Sequence, residues 1–188
     1  MPKIAEIEPT PNPNARKFIL KEPLTYGVSR SFDSPANAEN DPLARAIFEV
    51  PNVTNVFYVD HWITVTQDGD ANWDELLREV AKPIRDAPAA EAGSRGIVAR
   101  GHSALDDDKL SDTERAKLTT IIDLIDERVR PFLQGDGGDL LVVGLDDNVL
   151  SVHYQGACGS CPSSLSATLS GIESMVKSVD PEMSVQAV

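Results

Sequence analysis

The sequence predicts an α+β protein built from two small domains that are joined by a flexible linker. Short strand patterns alternate with helix patterns in residues 1–86 and again in residues 111–188. Between them, residues 87–110 show no apolar periodicity and contain scattered glycines and a run of three aspartates. The chain has 188 residues, of which 41% are hydrophobic, and this is enough for two small cores.

The first domain is predicted to contain four strands. Residues 3–8 alternate polar and apolar side chains, which is typical of a strand. Residues 9–14 include three prolines and are predicted to form a loop, because proline cannot donate to a strand ladder. Residues 17–20 follow as a second strand. Residues 53–59 and 62–66 are predicted to pair across a two-residue turn.

Two helices are predicted in the same domain. Asp41 and Pro42 are typical of an N-cap followed by proline at the first helical position, and this helix should run to Phe48. Asn72, with Glu75 three residues later, resembles a capping box. The residues behind it show helical spacing of apolar side chains. These side chains are Trp73, Leu76, Leu77, Val80 and Ile84.

The second domain is predicted to begin at a capping box formed by Ser111 and Glu114. The helix behind it is expected to continue to Gly135, a residue suited to a helix C-terminal end. Residues 139–154 are predicted to form a β-hairpin, a helix follows the cysteine motif, and residues 183–187 add an edge strand. This order, α-β-β-α-β, predicts one layer of helices on a three-stranded sheet. The apolar stripe of the first helix consists of Leu118, Ile121, Ile122, Ile125 and Val129.

The charge of the chain argues against some classes of partner. The net charge is −13, whereas nucleic acids and anionic membranes are bound by clustered lysine and arginine. No apolar run is long enough to span a membrane. The first residues do not combine a basic region with an apolar stretch, so no targeting segment is predicted. We therefore expect a cytoplasmic protein that binds neither nucleic acid nor membranes.

Both cysteines of the chain lie in one tetrapeptide, Cys158-Gly159-Ser160-Cys161. Two intervening residues let both sulfur atoms face one point, and Gly159 permits the tight turn that this requires. Pro162 is suited to the first position of a helix. Thiols at a helix N-terminus have lowered pKa values and lie near backbone N–H groups that are not bonded within the helix. The motif therefore predicts metal or redox chemistry.

The number of ligands indicates a site that is shared between two chains. Iron–sulfur clusters and structural zinc usually take four protein ligands, but this chain has two cysteines. Its histidines, His61, His102 and His153, lack ligand spacing to the cysteine pair, and His153 is expected to be a structural or surface residue. Two copies that each contribute Cys158 and Cys161 would supply four thiolates. Such a cluster would lie near solvent and would detach when the dimer opens.

Three other interpretations of the motif remain open at this point. A thiol–disulfide oxidoreductase also uses Cys-x-x-Cys at the start of a helix. In the thioredoxin pattern, however, a βαβ unit precedes the motif, whereas a β-hairpin is predicted here, and few residues follow Cys161. A zinc ion held between two chains and a pair of structural thiols are the other two interpretations.

Two parts of the sequence resemble known domains. Residues 121–188 contain the runs VRPFLQGDGGD, at 129–139, and GACGSCPSS, at 156–164, and resemble the C-terminal domain of the NifU and Nfu family. The run TPNPNA at 10–15 is similar to the N-terminal domain of Nfu, as are residues 17–18. NifU has further cysteines that this chain lacks, so the chain is more similar to Nfu.

The resemblance implies a non-enzymatic scaffold or carrier that binds a [4Fe–4S] cluster between two subunits, with Cys158 and Cys161 as the ligands. It also implies apo iron–sulfur client proteins and upstream assembly proteins as partners, and a homodimer when the cluster is loaded. A [2Fe–2S] cluster likewise takes four thiolates, so the ligand set alone does not fix the cluster type.

Overall fold

The computed structural model describes residues 2–89, 103–159 and 162–188. The chain divides into two compact units, Met1–Ala99 and Arg100–Val188. Each unit has a sheet and a cluster of buried apolar residues of its own. The α+β class predicted from the sequence is confirmed.

The first unit contains a five-stranded antiparallel sheet. Its strands are β1 (Ile4–Pro9), β2 (Ala15–Leu20), β3 (Arg30–Phe32), β4 (Val53–Val59) and β5 (Trp62–Gln67). Their spatial order is β1-β2-β5-β4-β3. The four predicted strands are present, with ends within two residues of the prediction. The sequence did not indicate β3, because a strand of three residues is too short to show an alternating pattern.

Two helices accompany this sheet, α1 (Pro42–Phe48) and α2 (Trp73–Asp86). The Asp41 side chain caps α1 by accepting from the amide of Ala44 at 2.9 Å, as an aspartate before a helix is expected to do. Asn72 caps α2 in the same way through the amide of Asp74, also at 2.9 Å. The buried residues of both helices, apart from Ala81, join one apolar cluster with the sheet, and that cluster forms the core of the first unit.

The second unit has the predicted order of elements with one additional short helix. Its elements are α3 (Asp112–Arg128), α4 (Arg130–Gly135), β6 (Gly138–Asp146), β7 (Val149–Gly156), α5 (Pro162–Val179) and β8 (Ser184–Ala187). The sheet order is β6-β7-β8, with β6 and β7 antiparallel and β8 parallel to β7. Among the described residues, no helix combines the length and the apolar character needed to cross a membrane.

The predicted single helix from Ser111 to Gly135 is wrong, because the chain breaks it into α3 and α4. The predicted capping box at Ser111 and Glu114 is present at the start of α3. Pro131 explains the break, since proline has no N–H to donate and its ring clashes with the preceding turn of a helix. A new helix can begin there, because proline is well tolerated at the first positions of a helix.

The end of the predicted linker packs on the core of the second unit. Residues Ser103–Asp106 form a 3-10 helix, and Ala104 within it is buried in the apolar cluster of this unit. The Arg115 guanidinium donates to the carbonyl oxygens of Leu105 and Asp107, which ties this turn to α3. Residues 90–102 of the predicted linker lie outside the described residues, so the domain boundaries at 86 and 110 stay predictions.

Candidate functional site

Cys158 lies in the loop between the hairpin strand β7 and helix α5. Strand β7 ends at Gly156, whose φ of +65° is in the left-handed region that favours glycine. The amide of Gly159 donates to the Gly156 carbonyl oxygen at 3.2 Å and closes a tight turn around Cys158. Helix α5 begins at Pro162, as predicted, whereas Cys161 lies outside the described residues.

The Cys158 side chain is buried in a niche formed by Gly138. Only 2% of Cys158 is exposed, and it belongs to the apolar cluster of the second unit. A Cβ atom at Gly138 would lie 2.6 Å from Cys158 Sγ and 2.6 Å from the Gln155 carbonyl oxygen. Because real Cβ atoms do not approach other atoms so closely, position 138 has to be glycine for Cys158 to occupy this niche.

The glycine-rich turn at residues 135–138 is joined to the cysteine loop. Gly138 is the register partner of Gly156 in the β6–β7 pair, so the two loops lie at the same end of the hairpin. In addition, the amide of Ala157 donates to the Gly137 carbonyl oxygen at 3.1 Å. The contact joins positions about twenty residues apart in the sequence, so no local sequence pattern indicates it.

A buried ion pair stabilises the glycine-rich turn at residues 135–138. Arg130 in α4 pairs with Asp139 at the start of β6, and both residues are 2% exposed. The Arg130 Nε also donates to Asp126 Oδ1 at 2.8 Å. Burial raises the pKa of the Asp139 carboxyl, and the neighbouring Arg130 opposes that rise. Since α4 and β6 flank the glycine-rich turn, this pair holds the two ends of the turn in place.

Two buried polar atoms beside the cysteine loop have no hydrogen-bond partner in the described part of the chain. They are the Tyr154 hydroxyl and Gln155 Oε1, both near the end of β7. Burial, and to a lesser extent the charge of the nearby Cys158 thiolate, raises the pKa of Tyr154 to about 12. An unsatisfied buried polar group costs about 1–3 kcal/mol, and such groups often point to a ligand site. The orphaned atoms therefore fit a site that receives a further group.

Among the described residues, no three His, Cys, Asp or Glu side chains are placed to hold a metal ion. His153 is exposed, and its Nδ1 is hydrogen-bonded to the Val188 carbonyl oxygen at 2.8 Å, which agrees with its expected structural role. Cys158 is thus the one predicted ligand that can be located in the structure.

Both units match family models. Residues 4–91 match the model described as Scaffold protein Nfu/NifU N terminal, and residues 121–186 match the NifU-like domain. The chain belongs to the Nfu family. The family resemblance inferred from the sequence motifs is therefore confirmed, and both Nfu domains occur in the expected order.

Several relatives of this Nfu-family chain carry descriptive names. The human protein named NFU1 iron-sulfur cluster scaffold homolog, mitochondrial, is 32% identical over 95% of this chain and 68% of its own length. The Arabidopsis thaliana protein NifU-like protein 4, mitochondrial, is 31% identical over 91% of this chain and 60% of its own length. A solved NifU-like protein from Saccharomyces cerevisiae is 26% identical, with a TM-score of 0.40, and covers 43% of this chain and 74% of the yeast protein.

The N-terminal Nfu unit contains a polar cluster that sequence reasoning missed. The Tyr58 hydroxyl donates to Asp41 Oδ2 at 2.5 Å, and Arg30 Nη1 lies 3.3 Å from the same oxygen. Burial and the adjacent carboxylate raise the pKa of Tyr58. These side chains line a groove of about 470 Å³. Asp41 also caps α1, so stabilising the start of this helix is enough to explain why these polar side chains lie together.

Proposed function

We propose that this Nfu-family protein is a carrier that holds an iron–sulfur cluster as cargo between two copies and passes it to apo client proteins. Cys158 and Cys161 of each copy are the proposed ligands, and a [4Fe–4S] cluster is the proposed cargo. The observation that carries the proposal is the position of Cys158 in a tight loop directly before helix α5, within a domain that matches the NifU-like family model. Four thiolates then require two copies.

The environment of Cys158 supports a cargo that can be released. In the structure the thiol is buried against Gly138, whereas a ligand to a shared cluster must reach the surface. Loading therefore requires the loop at residues 156–159 to turn Cys158 outward, and release lets the thiol return to its niche. The burial of the Cys158 side chain against Gly138 opposes this outward turn, so it offsets part of the free energy of cluster binding and makes the cluster easier to hand over.

The proposed role is not enzymatic, and the partners are apo iron–sulfur proteins and upstream assembly proteins. A thiol–disulfide oxidoreductase, the main alternative from the sequence, has no support from the family match, which is to scaffold domains. The cytoplasmic location remains a prediction. The names of the human and Arabidopsis relatives describe those two proteins as mitochondrial.

Replacing either cysteine tests the ligand assignment. We expect Cys158→Ala and Cys161→Ser each to abolish the visible absorption of the anaerobically reconstituted protein, because each copy supplies two of four ligands. The wild-type protein should contain about two irons per chain, as one [4Fe–4S] cluster per two chains requires. Iron analysis, Mössbauer spectroscopy and circular dichroism measure cluster content, cluster type and fold.

The control variant is Ser170→Ala on the exposed face of α5, which should load cluster like the wild type. A stable, full cluster in a variant that lacks one thiol would contradict the assignment. For transfer, holo protein mixed with an apo [4Fe–4S] enzyme should restore its activity in the presence of an iron chelator. Rapid catalytic reduction of disulfides by the apo protein, without such transfer, would instead indicate an oxidoreductase.

A further inference from the structure

The most exposed large apolar side chain among the described residues is Phe132, in helix α4. It is 74% exposed, although six-residue α4 is otherwise anchored by the buried residues Arg130 and Leu133. Phe132 forms one wall of a groove of about 290 Å³ between α4 and α5. The apolar part of the groove is completed by Val129, Leu133, Ile172 and Met175. An exposed aromatic ring beside an apolar groove is typical of a protein–protein contact.

Two residues of opposite charge line the same groove. Arg128 is the last residue of α3, and Asp136 directly follows α4, so they stand before and after Phe132 along the chain. The whole of α4 lies between them in the sequence, and its six residues extend about 9 Å along the helix axis. A twofold axis that passes near Phe132 and is perpendicular to α4 would place the two α4 helices antiparallel. It would bring Arg128 of one copy opposite Asp136 of the partner subunit, and the same pair would form a second time.

The groove is linked to the cysteine loop by a backbone hydrogen bond and by shared core residues. Asp136 precedes Gly137, whose carbonyl oxygen accepts from the amide of Ala157, the residue before Cys158. Leu133 and Ile172 of the groove belong to the same apolar cluster as Cys158. When two copies ligate one cluster, their cysteine loops must lie within a few ångströms of each other. Because the turn that follows Asp136 is bonded to the cysteine loop, a second copy held at that loop is within reach of this groove.

We propose that the groove around Phe132 is the surface through which two copies pair when the cluster is loaded. Each Phe132 enters the groove of the other copy, and Arg128 pairs with Asp136 of the partner subunit. This inference rests on the proposed function, because the shared cluster is what brings the two copies together. A stable protein dimer buries about 800 Å² on each partner, and one aromatic ring in a small groove provides much less. The pairing is therefore weak alone and depends on the cluster.

Substituting Phe132 tests the apolar contact. Phe132→Glu places a charge where the ring is buried in the dimer, and dimerisation of the cluster-loaded protein should weaken at least about 30-fold, the loss expected for an aromatic hot spot. The matched control is Val188→Glu, since Val188 is also apolar and 62% exposed but does not line the groove. Sedimentation of reconstituted protein, with iron counted in each peak, measures the effect. Dimers of Phe132→Glu as tight as those of the control would overturn the proposal.

Charge reversal tests the twofold pairing. Arg128→Glu alone and Asp136→Arg alone each place like charges together twice, and each should dimerise less than the wild type on loading. An equimolar mixture of the two variants restores both pairs, so it should form heterodimers at the wild-type level. Variants with different affinity tags and native mass spectrometry would count the heterodimer. A mixture that pairs no better than either variant would overturn the proposal.

The outcomes separate this surface from the proposed function. If the wild type takes up no cluster, the proposed function and the interface both fail. If the wild type loads but the groove variants dimerise normally, the interface alone fails. If Phe132→Glu dimerises and loads normally but no longer transfers its cluster, the groove receives a client protein, and the pairing proposal is again overturned.

Discussion

Gly138 is the residue through which the fold sets the position of the proposed ligand Cys158. Gly138→Ala would place a Cβ against Cys158 Sγ and against the Gln155 carbonyl oxygen. The thiol can rotate away, but the backbone carbonyl can move only if the strands shift. We expect a loss of about 1–3 kcal/mol of unfolding free energy, as for overpacking. We also expect faster reaction of Cys158 with a thiol reagent, measured in a Cys161→Ser background.

The control for Gly138 lies in the same strand. A Cβ at Gly144 in β6 meets no atom within 4 Å, and Gly144 does not need a positive φ. Gly144→Ala should therefore leave both the stability and the reactivity of Cys158 close to those of the wild type. If the two alanine variants behaved alike, the niche would not hold the thiol.

The orphaned hydroxyl of Tyr154 has a matched counterpart in the first unit. Tyr154→Phe removes a buried hydroxyl that lacks a partner in the described part of the chain, so the apo protein should keep its stability or gain about 1 kcal/mol. Tyr58→Phe removes a hydroxyl bonded to buried Asp41 and should cost about 1–3 kcal/mol. Urea denaturation of both variants measures the difference.

The holo protein tests what the Tyr154 hydroxyl does. If this hydroxyl donates to the cargo, Tyr154→Phe should release the cluster faster than the wild type while the apo fold is unharmed. A variant destabilised as much as Tyr58→Phe would show instead that the Tyr154 hydroxyl is already bonded within the fold.

The helices and strands that were predicted most accurately are those whose ends are marked by capping residues or proline in the local sequence. The cap at Asp41 and proline at 42 gave α1 its observed bounds, and the Ser111 capping box gave the start of α3. The break between α3 and α4 also has a local cause, Pro131, but Gly135, a residue suited to a helix end, indicated one helix that continues past this proline. The contact of Gly138 with Cys158 joins distant positions through strand register, so no local pattern could predict it.

The buried Arg130–Asp139 ion pair, which joins α4 to β6, should contribute far more to the free energy of unfolding than an exposed ion pair does. Arg130→Met leaves the Asp139 carboxylate buried without its cation, and breaking a buried pair in this way costs about 3–5 kcal/mol. Lys177→Met breaks an exposed pair with Glu173 in α5 and should cost about 0.3–0.5 kcal/mol. Denaturation at neutral pH compares the two variants, and equal losses would contradict the structural role of the Arg130–Asp139 pair.

The loss of unfolding free energy in the Arg130→Met variant should also depend on pH. Burial already raises the pKa of Asp139, and removing Arg130 removes the charge that opposes this rise. The folded variant then binds a proton at Asp139 more readily than the unfolded chain does. Its stability should therefore be higher at pH 5 than at pH 8 relative to the wild type, because stability falls as pH rises through the raised pKa. A loss of equal size at both pH values would show that Asp139 does not become buried and unpaired.

At the scale of the molecule, the chain has two units with separate cores, and both cysteines lie in the second unit. The first unit contains no cysteine, so a fragment of residues 2–89 should fold and bind no iron. Its sheet and helices are complete without the second unit, which is why it was predictable as a domain from local patterns alone. The start of the second unit was harder to predict, because the turn at Ser103–Asp106 follows a segment without periodicity.

This difference gives a test of where the second unit begins. Residues 103–188 should fold alone and take up cluster, whereas residues 111–188 should be less stable. The shorter fragment lacks buried Ala104 and the partly buried Leu105 and Leu110, which pack on the apolar cluster. It also lacks the carbonyl groups that the Arg115 guanidinium binds. Together these losses remove about as much buried apolar surface as one leucine side chain provides, so the free energy of unfolding should fall by about 2 kcal/mol.

The urea midpoints of the two fragments measure this loss of stability, and the iron uptake of each fragment is compared with that of the full chain. Equal midpoints would place the start of the second unit at Ser111, and uptake by neither fragment would mean that the first unit is needed for loading.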